Sequence, residues 1–284
     1  MQWMAPWIAR AAPFIRLYNR TDSADLSMIS AGIAFFGFLA IFPAVAAVIA
    51  IWGFASDPSV IRQELALTQD YLPVDSYQLL SNQVEVLLAA NTRELGWTTA
   101  ISTILALWSA RAGVAALIRG MNAIHHLPNR DGAWHLLRAL ALTLTLVGVI
   151  LVAMVLAIVA PLVIAFLPLG RATAQALELA NVALGLLIVV FGVGLVYRLG
   201  PNRPKDARRP MFTRGLLLAV VLWALVSRGL VIYLANFNSY NEVYGSIGAV
   251  VALLMWLYLS AYAVLLGAAV DAEMAANARR EAEK

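Results

Sequence analysis

The chain has no cysteine in its 284 residues and three histidines, His125, His126 and His135, all in one short stretch. Without cysteine there is no disulfide, no thiolate nucleophile and no thiolate-held metal. The histidines have Asp131 as their one nearby acid, whereas a zinc site takes three or four ligands with supporting carboxylates, so neither a metal nor another cofactor is expected. The sequence also lacks HExxH, HxHxD and GxxxxGK[ST], which excludes the common zinc-hydrolase pattern and an ATP-driven motor built from this chain alone. Ser109 and Ser227 have no histidine at comparable depth, so a nucleophilic triad has no basis and the chain is not expected to be an enzyme. Charge is scarce too: 13% of residues, against about a quarter in soluble domains.

What fills the chain is apolar. Hydrophobic residues make up 62% of it and the mean hydropathy is +0.80. The apolar residues form continuous runs of about 20 or more, the length a helix needs to cross a bilayer. A transmembrane β-barrel would instead alternate polar and apolar residues in segments of about ten. The expected fold class is therefore all-α, a polytopic membrane protein with six transmembrane helices. The spans run from about Asp25 to Phe54, Trp97 to His125, Leu136 to Phe166, Ala174 to Tyr197, Met211 to Ala235 and Ser246 to Val270. Ser30, Ala31, Gly32 and Ala34 give the first span a small-residue face for close packing, and Pro43 is expected to kink it.

Three organisational units follow. Residues 1–24 carry Trp3, Trp7, Phe14 and Leu17 among Arg10, Arg16 and Arg20; this suits a cytoplasmic helix lying in the interface, and Pro6 and Arg10 break up any signal-peptide core. Residues 25–270 form the membrane domain. Within it, residues 56–94 read as amphipathic periplasmic helices, because neither Val60–Leu72 nor Tyr77–Leu88 is apolar enough to span. Residues 271–284 form a charged tail of helical propensity. With these spans, fifteen of the 20 Lys and Arg fall on one side, Arg62, Arg93 and Arg171 on the other, and Arg111 and Arg228 within spans. The basic side is the cytoplasmic one, which puts both termini in the cytoplasm of a bacterial inner membrane. Positive charge facing anionic lipid also accounts for the basic pI without nucleic acid.

Arg111 is the most informative single residue. It lies roughly 20 Å along its helix from Trp97, near the centre of a hydrocarbon core about 30 Å thick. A cation there is costly and marks a functional-site hypothesis by default. Asn122 falls about 20° around the helix from Arg111 and Arg119 about 80°, so one flank carries polar and positive groups from mid-membrane to the cytoplasmic surface. No Asp or Glu lies at mid-depth in any span. Two readings stay open: Arg111 donates to freed carbonyls such as that of Leu39 below Pro43, or it binds an anionic group together with Arg119 and Arg228. Arg228 also has a plain alternative, snorkelling to the outer interface or pairing with Glu242. The stretch Tyr240-Asn-Glu-Val-Tyr-Gly-Ser-Ile-Gly248 reads as a structured turn, with Tyr240 and Tyr244 in the interface belt and Gly245 allowing close backbone approach; its polar groups are an alternative lining for the mouth of a cavity.

Several segments resemble the YihY/BrkB family of bacterial inner-membrane proteins, some of which carry a ribonuclease BN label. They are Ser30-Ala-Gly-Ile-Ala-Phe-Phe-Gly-Phe-Leu-Ala-Ile-Phe-Pro43, Trp108-Ser-Ala-Arg-Ala-Gly-Val114, Met121-Asn-Ala123, Tyr244-Gly-Ser-Ile-Gly248, Trp256-Leu-Tyr-Leu-Ser260 and Leu266-Gly-Ala-Ala269. The resemblance covers roughly residues 20–275 and implies six spans, in agreement with the count above. It implies links to serum resistance and to lipid or lipopolysaccharide export, but no settled activity. A metal-dependent nuclease needs clustered His and Asp ligands that this sequence lacks. The expected function is handling of an anionic, phospholipid-like lipid for envelope assembly. A small-solute or ion transporter or channel is the first alternative, and a non-transporting scaffold the second. Membrane lipids are the expected partners, with envelope-transport proteins and a second copy of the chain left open.

Overall fold

The computed structural model describes residues 5–55, 65–66, 81–82, 85, 92–129, 132–166, 171–203, 210–235 and 241–283. Among them there are seven helices and no strand: α1 (Ala5–Ser23), α2 (Leu26–Ala55), α3 (Thr92–Ile124), α4 (Ala133–Phe166), α5 (Arg171–Leu199), α6 (Arg214–Ala235) and α7 (Asn241–Ala282). The stretches Ala100–Ile124, Ala133–Ala153, Leu179–Leu199, Arg214–Tyr233 and Val250–Ala282 are each long and apolar enough to cross a membrane. Phe14–Ser23 and Leu26–Ile41 together make a sixth candidate, bent by 53°. Most of the amphipathic segment 56–94 lies outside the described residues.

Helix boundaries follow local chemistry. The bend between α1 and α2 sits at Asp25, in the left-handed region at φ 48°, a conformation an Asx side chain tolerates better than most. α2 continues as helix through Pro43 to Ala55. At the end of α3, Leu127 N donates to Asn122 O and His126 N to Ala123 O, with His126 at φ 51°. That pair of bonds is a Schellman cap, so the histidines do terminate this helix. α7 has 42 residues, or about 63 Å, roughly twice the hydrocarbon thickness. Its charged end, from Asp271 onward, therefore leaves the membrane. The expected turn at Tyr240–Gly248 is corrected: α7 already begins at Asn241, so Tyr244, Gly245 and Gly248 are helical. The helix pattern there was hidden by its two glycines and by Asn241, residues that more often interrupt a helix.

The chain divides into two compact units, residues 36–110 and residues 1–35 with 111–284. The first comprises most of α2 and the first part of α3, with the intervening segment. The second holds the core: Leu26, Met121, Ile124, Val196, Leu216, Ala219, Val220, Leu265, Ala268 and Ala269 are all buried together. These residues come from the start of α2, the end of α3, the end of α5, the start of α6 and the C-terminal half of α7. Helices that alternate in direction bring those ends to one side, so the α3–α4 and α5–α6 connections, α1 and the C-terminal helix end all share it. Gly120 sits at the tightest point between α2, α3 and α7, where an added Cβ would meet Leu265 Cδ2 at 3.0 Å and Ile29 Cγ2 at 3.1 Å. Of the expected small packing face on α2, Ser30 and Ala34 are buried, whereas Ala31 is exposed and nothing lies within 4 Å of a Cβ at Gly32, so close packing is confined to Ser30 and Ala34.

Candidate functional site

The charged side of the second unit is held by two carboxylates. Asp271 on α7 accepts hydrogen bonds from Gly215 N at 2.8 Å and from Thr213 Oγ1. Thr213 Oγ1 also accepts from Leu216 N at 3.1 Å, so the hydroxyl caps α6 and the carboxylate closes the cap from a neighbouring helix. A negative charge at that position also opposes the positive end of the α6 dipole. Asp271→Ala is expected to destabilise the protein by ~2 kcal/mol, because the backbone donor it satisfies stays buried. A lowered melting temperature in detergent, partly restored by Asn, checks this.

Two residues on, Glu273 is buried and takes Arg16 Nε at 2.8 Å and Arg20 Nη2 at 3.2 Å, both from α1. Arg20 Nη1 also donates to Ile124 O at 2.7 Å, so this arginine ties α1 to the ends of α3 and α7 at once. Burial acts to raise the Glu273 pKa, but the hydrogen bonds from Arg16 and then Arg20 outweigh it and hold the carboxyl below its ordinary range.

A third polar group joins the two connections. Asn122 is buried; its Nδ2 donates to Asn129 Oδ1 at 3.0 Å and its Oδ1 accepts from Asn202 N at 2.7 Å. Arg203 Nη2 lies 2.6 Å from His125 Nε2, and Arg138 Nη2 donates to Pro201 O at 3.3 Å. Among Met121, His125, Tyr197, Arg203, Thr213 and Asp271 only about 10 Å³ of space remains, no more than one water requires. A hydrated ion does not fit there.

The residues expected to bind a ligand are thus placed differently from one another. Arg111 is half-buried and already interacts within the fold. It lies on the α3 face that carries Ala115, Ile118 and Asn122, of which Ala115 and Ile118 pack against Ala139 and Leu142 of α4. Arg119 is exposed and Asn122 is occupied by the loop network. Arg228 is exposed on α6, about 200° around the helix from both Val226 and Leu230, which line an apolar groove of about 370 Å³ against α7. Tyr240 lies outside the described residues, and Pro43, Tyr244 and Gly245 are described by backbone alone. Asp271, Glu273, Tyr197 and Arg203 were not singled out as partners by sequence reasoning. The i, i+4 spacing of Arg16 and Arg20 was the available signal, since it puts two guanidinium groups on one face awaiting an acid.

A wider open space lies elsewhere. A cleft of about 650 Å³ between α4 and α5 is lined by Thr145, Gly148, Val149, Val152, Leu187, Ile188, Val190, Phe191 and Phe212. Its volume is in the range of small-molecule sites, its lining is almost wholly apolar, and Arg111 is not among the lining residues. The leading α4 residue, Thr145, follows one turn after Leu142, which packs on Ala115.

Long apolar helices, a polar seal on one side and a lateral apolar cleft define a multi-pass α-helical membrane protein. The chain belongs to the Virulence factor BrkB family, whose model matches residues 17–284. It is similar to the putative ribonuclease-like protein YfkH of Bacillus subtilis, with 27% identity over 90% of this chain and 92% of that one. It is also 39% identical to a UPF0761 membrane protein of Xanthomonas oryzae and 38% identical to one of Xanthomonas campestris. Each of these two matches covers 39% of this chain and 26% of the relative, so the chain aligns with about a quarter of those longer proteins. No solved structure matches. Among the described residues no group of three or more His, Asp or Glu is placed to hold a metal ion.

Proposed function

We propose that this chain binds an anionic, phospholipid-like lipid in the inner membrane and moves it between leaflets or presents it to envelope-assembly proteins. The observation that carries the reading is the position of Arg111. It stands on the inward face of α3, one turn beyond Ala115, which packs on the part of α4 that leads into the lateral cleft. A guanidinium at this depth is matched by a phosphate, which accepts two parallel hydrogen bonds. A lipid brings that phosphate from within the membrane while its acyl chains stay in the surrounding bilayer. A small anion would bring charge alone, and the space among Met121, His125, Tyr197, Arg203, Thr213 and Asp271 is too small for a hydrated one. Arg119, exposed eight residues nearer the charged side, is the surface contact in this reading; Asn122 holds the loop beside it, and Arg228 serves the opposite leaflet. The basic side is cytoplasmic by charge distribution, with both termini there.

The test is leaflet-resolved movement of fluorescent phosphatidylglycerol in liposomes. Wild type should accelerate it, and Arg111→Ala should slow it about tenfold or more, the kinetic equivalent of one lost charge-assisted hydrogen bond. If well-folded wild type moves no lipid, or Arg111→Ala matches it, the proposal fails. Ion conductance without lipid movement would instead support a channel.

A further inference from the structure

We propose that the α4–α5 cleft is a binding site for one anionic diacyl phospholipid, its acyl chain along Val149, Val152, Leu187 and Phe191 and its phosphate between Arg138 and Arg198. The ligand class rests on the anionic-lipid reading above, but translocation is not required: a chain that moves no lipid can still hold one here.

Helical register places both arginines over the cleft. Arg138 precedes Thr145 by seven residues and Val149 by eleven, within about 20° of each around α4. Arg198 follows Phe191 by seven and Leu187 by eleven, again within about 20° on α5. Each cation therefore sits roughly 10 Å beyond the apolar lining on its own helix, both toward the charged side. The hydrogen bond from Arg138 Nη2 to Pro201 O draws its guanidinium from α4 toward the segment that follows α5, across the end of the cleft. Arg198 is exposed, and the backward tilt of helical side chains leans it from the end of α5 toward the lining. Trp134 and Phe212 are 73% and 69% exposed at this level, where aromatic side chains mark headgroup depth. A zwitterionic lipid would fill the same apolar space but would not answer two cations with a net negative charge.

The test uses the full chain in nanodiscs holding equal amounts of photoactivatable phosphatidylglycerol and phosphatidylcholine, with labelled peptides mapped by mass spectrometry. Phosphatidylglycerol should label residues 145–152 and 187–191 several-fold more than phosphatidylcholine. Arg198→Gln, at an exposed position, should cut that preference about fivefold, the worth of one basic side chain near an anionic lipid surface. Gly148→Leu should reduce labelling by narrowing the cleft at its lining, and the open space around Gly148 leaves the fold intact. Equal labelling by the two lipids, or a preference unchanged in Arg198→Gln, overturns the proposal. Cleft labelling that persists in Arg111→Ala while lipid movement stops supports a separate site.

Discussion

Gly267→Val is expected to prevent the protein from reaching its folded state. A Cβ at Gly267 would fall on the carbonyl oxygen of Gly215 and the hydroxyl of Tyr197, and 2.8 Å from Ala219 Cβ. A Cβ at Gly215 would in turn fall on Gly267 O and the Asp271 carboxyl. The two helices thus touch backbone to backbone at this point, and a backbone oxygen cannot swing aside as a side-chain tip can. Small residues at such crossings are what allow helices to associate in lipid, where no hydrophobic gain drives them together. Separating α6 from α7 would also break the Asp271 cap on α6, and the added side chain would push Tyr197 Oη of α5 off Val264 O, so the damage exceeds the ~1–3 kcal/mol of ordinary overpacking. Gly185→Ala is the control, since nothing lies within 4 Å of its added Cβ; helix propensity alone predicts a slight gain there. Size-exclusion profiles and melting curves in detergent decide the matter. A monodisperse Gly267→Val protein melting near wild type would show that the crossing does not need its glycine.

The contrast between these glycines shows where sequence reading runs out. The run Gly267-Ala268-Ala269 suits close helix packing on its sequence alone, because small residues in an apolar helix let a neighbour approach. Which helix they approach was not legible, because Gly215 carries no matching run and its role depends on Asp271 reaching across from α7. Most helix bounds were legible within a few residues, since continuous apolar length is what a bilayer demands, but α7 runs on to Ala282 where a span ending at Val270 was expected. Partners across loops are a different matter. Asn122 shares a face with Arg111 in the helical count, yet its amide is turned to Asn129 and Asn202, a destination set by loop folding and invisible in periodicity. The lateral cleft was missed for a similar reason: Val149, Val152, Leu187 and Phe191 look like any lipid-facing residues until two helices are seen to diverge around them.

Glu273→Arg is expected to release α1 from the rest of the second unit. In the native arrangement one carboxylate takes Arg16 and Arg20, with Arg280 Nη1 at 3.8 Å, and it is nearly enclosed while Arg20 is almost as buried. Removing the acid from a buried pair costs ~3–5 kcal/mol; Arg16 is partly solvated, so about 3 kcal/mol is the expected loss. That corresponds to more than a hundredfold faster amide exchange through α1. Four arginines would then crowd the same space, and tryptic cleavage within residues 10–20 should accelerate in parallel. Adding Arg20→Glu to Glu273→Arg should restore part of the protection by recreating the pair with its signs exchanged, although Ile124 O loses its donor. Glu281→Arg, exposed two turns later, should leave α1 unchanged. If exchange in α1 is unaffected by Glu273→Arg, the helix is held by apolar contacts such as Leu17 with the core and the ion cluster is incidental. The pH dependence has a definite sign. The folded carboxyl titrates below its unfolded value, so its contribution is complete above the ordinary glutamate value. It fades as pH falls through the folded value. Docking of α1 should therefore be insensitive to pH across the neutral range and loosen only in acid, which makes this cluster a fixed fastening for the N-terminal helix rather than a sensor of pH near neutrality.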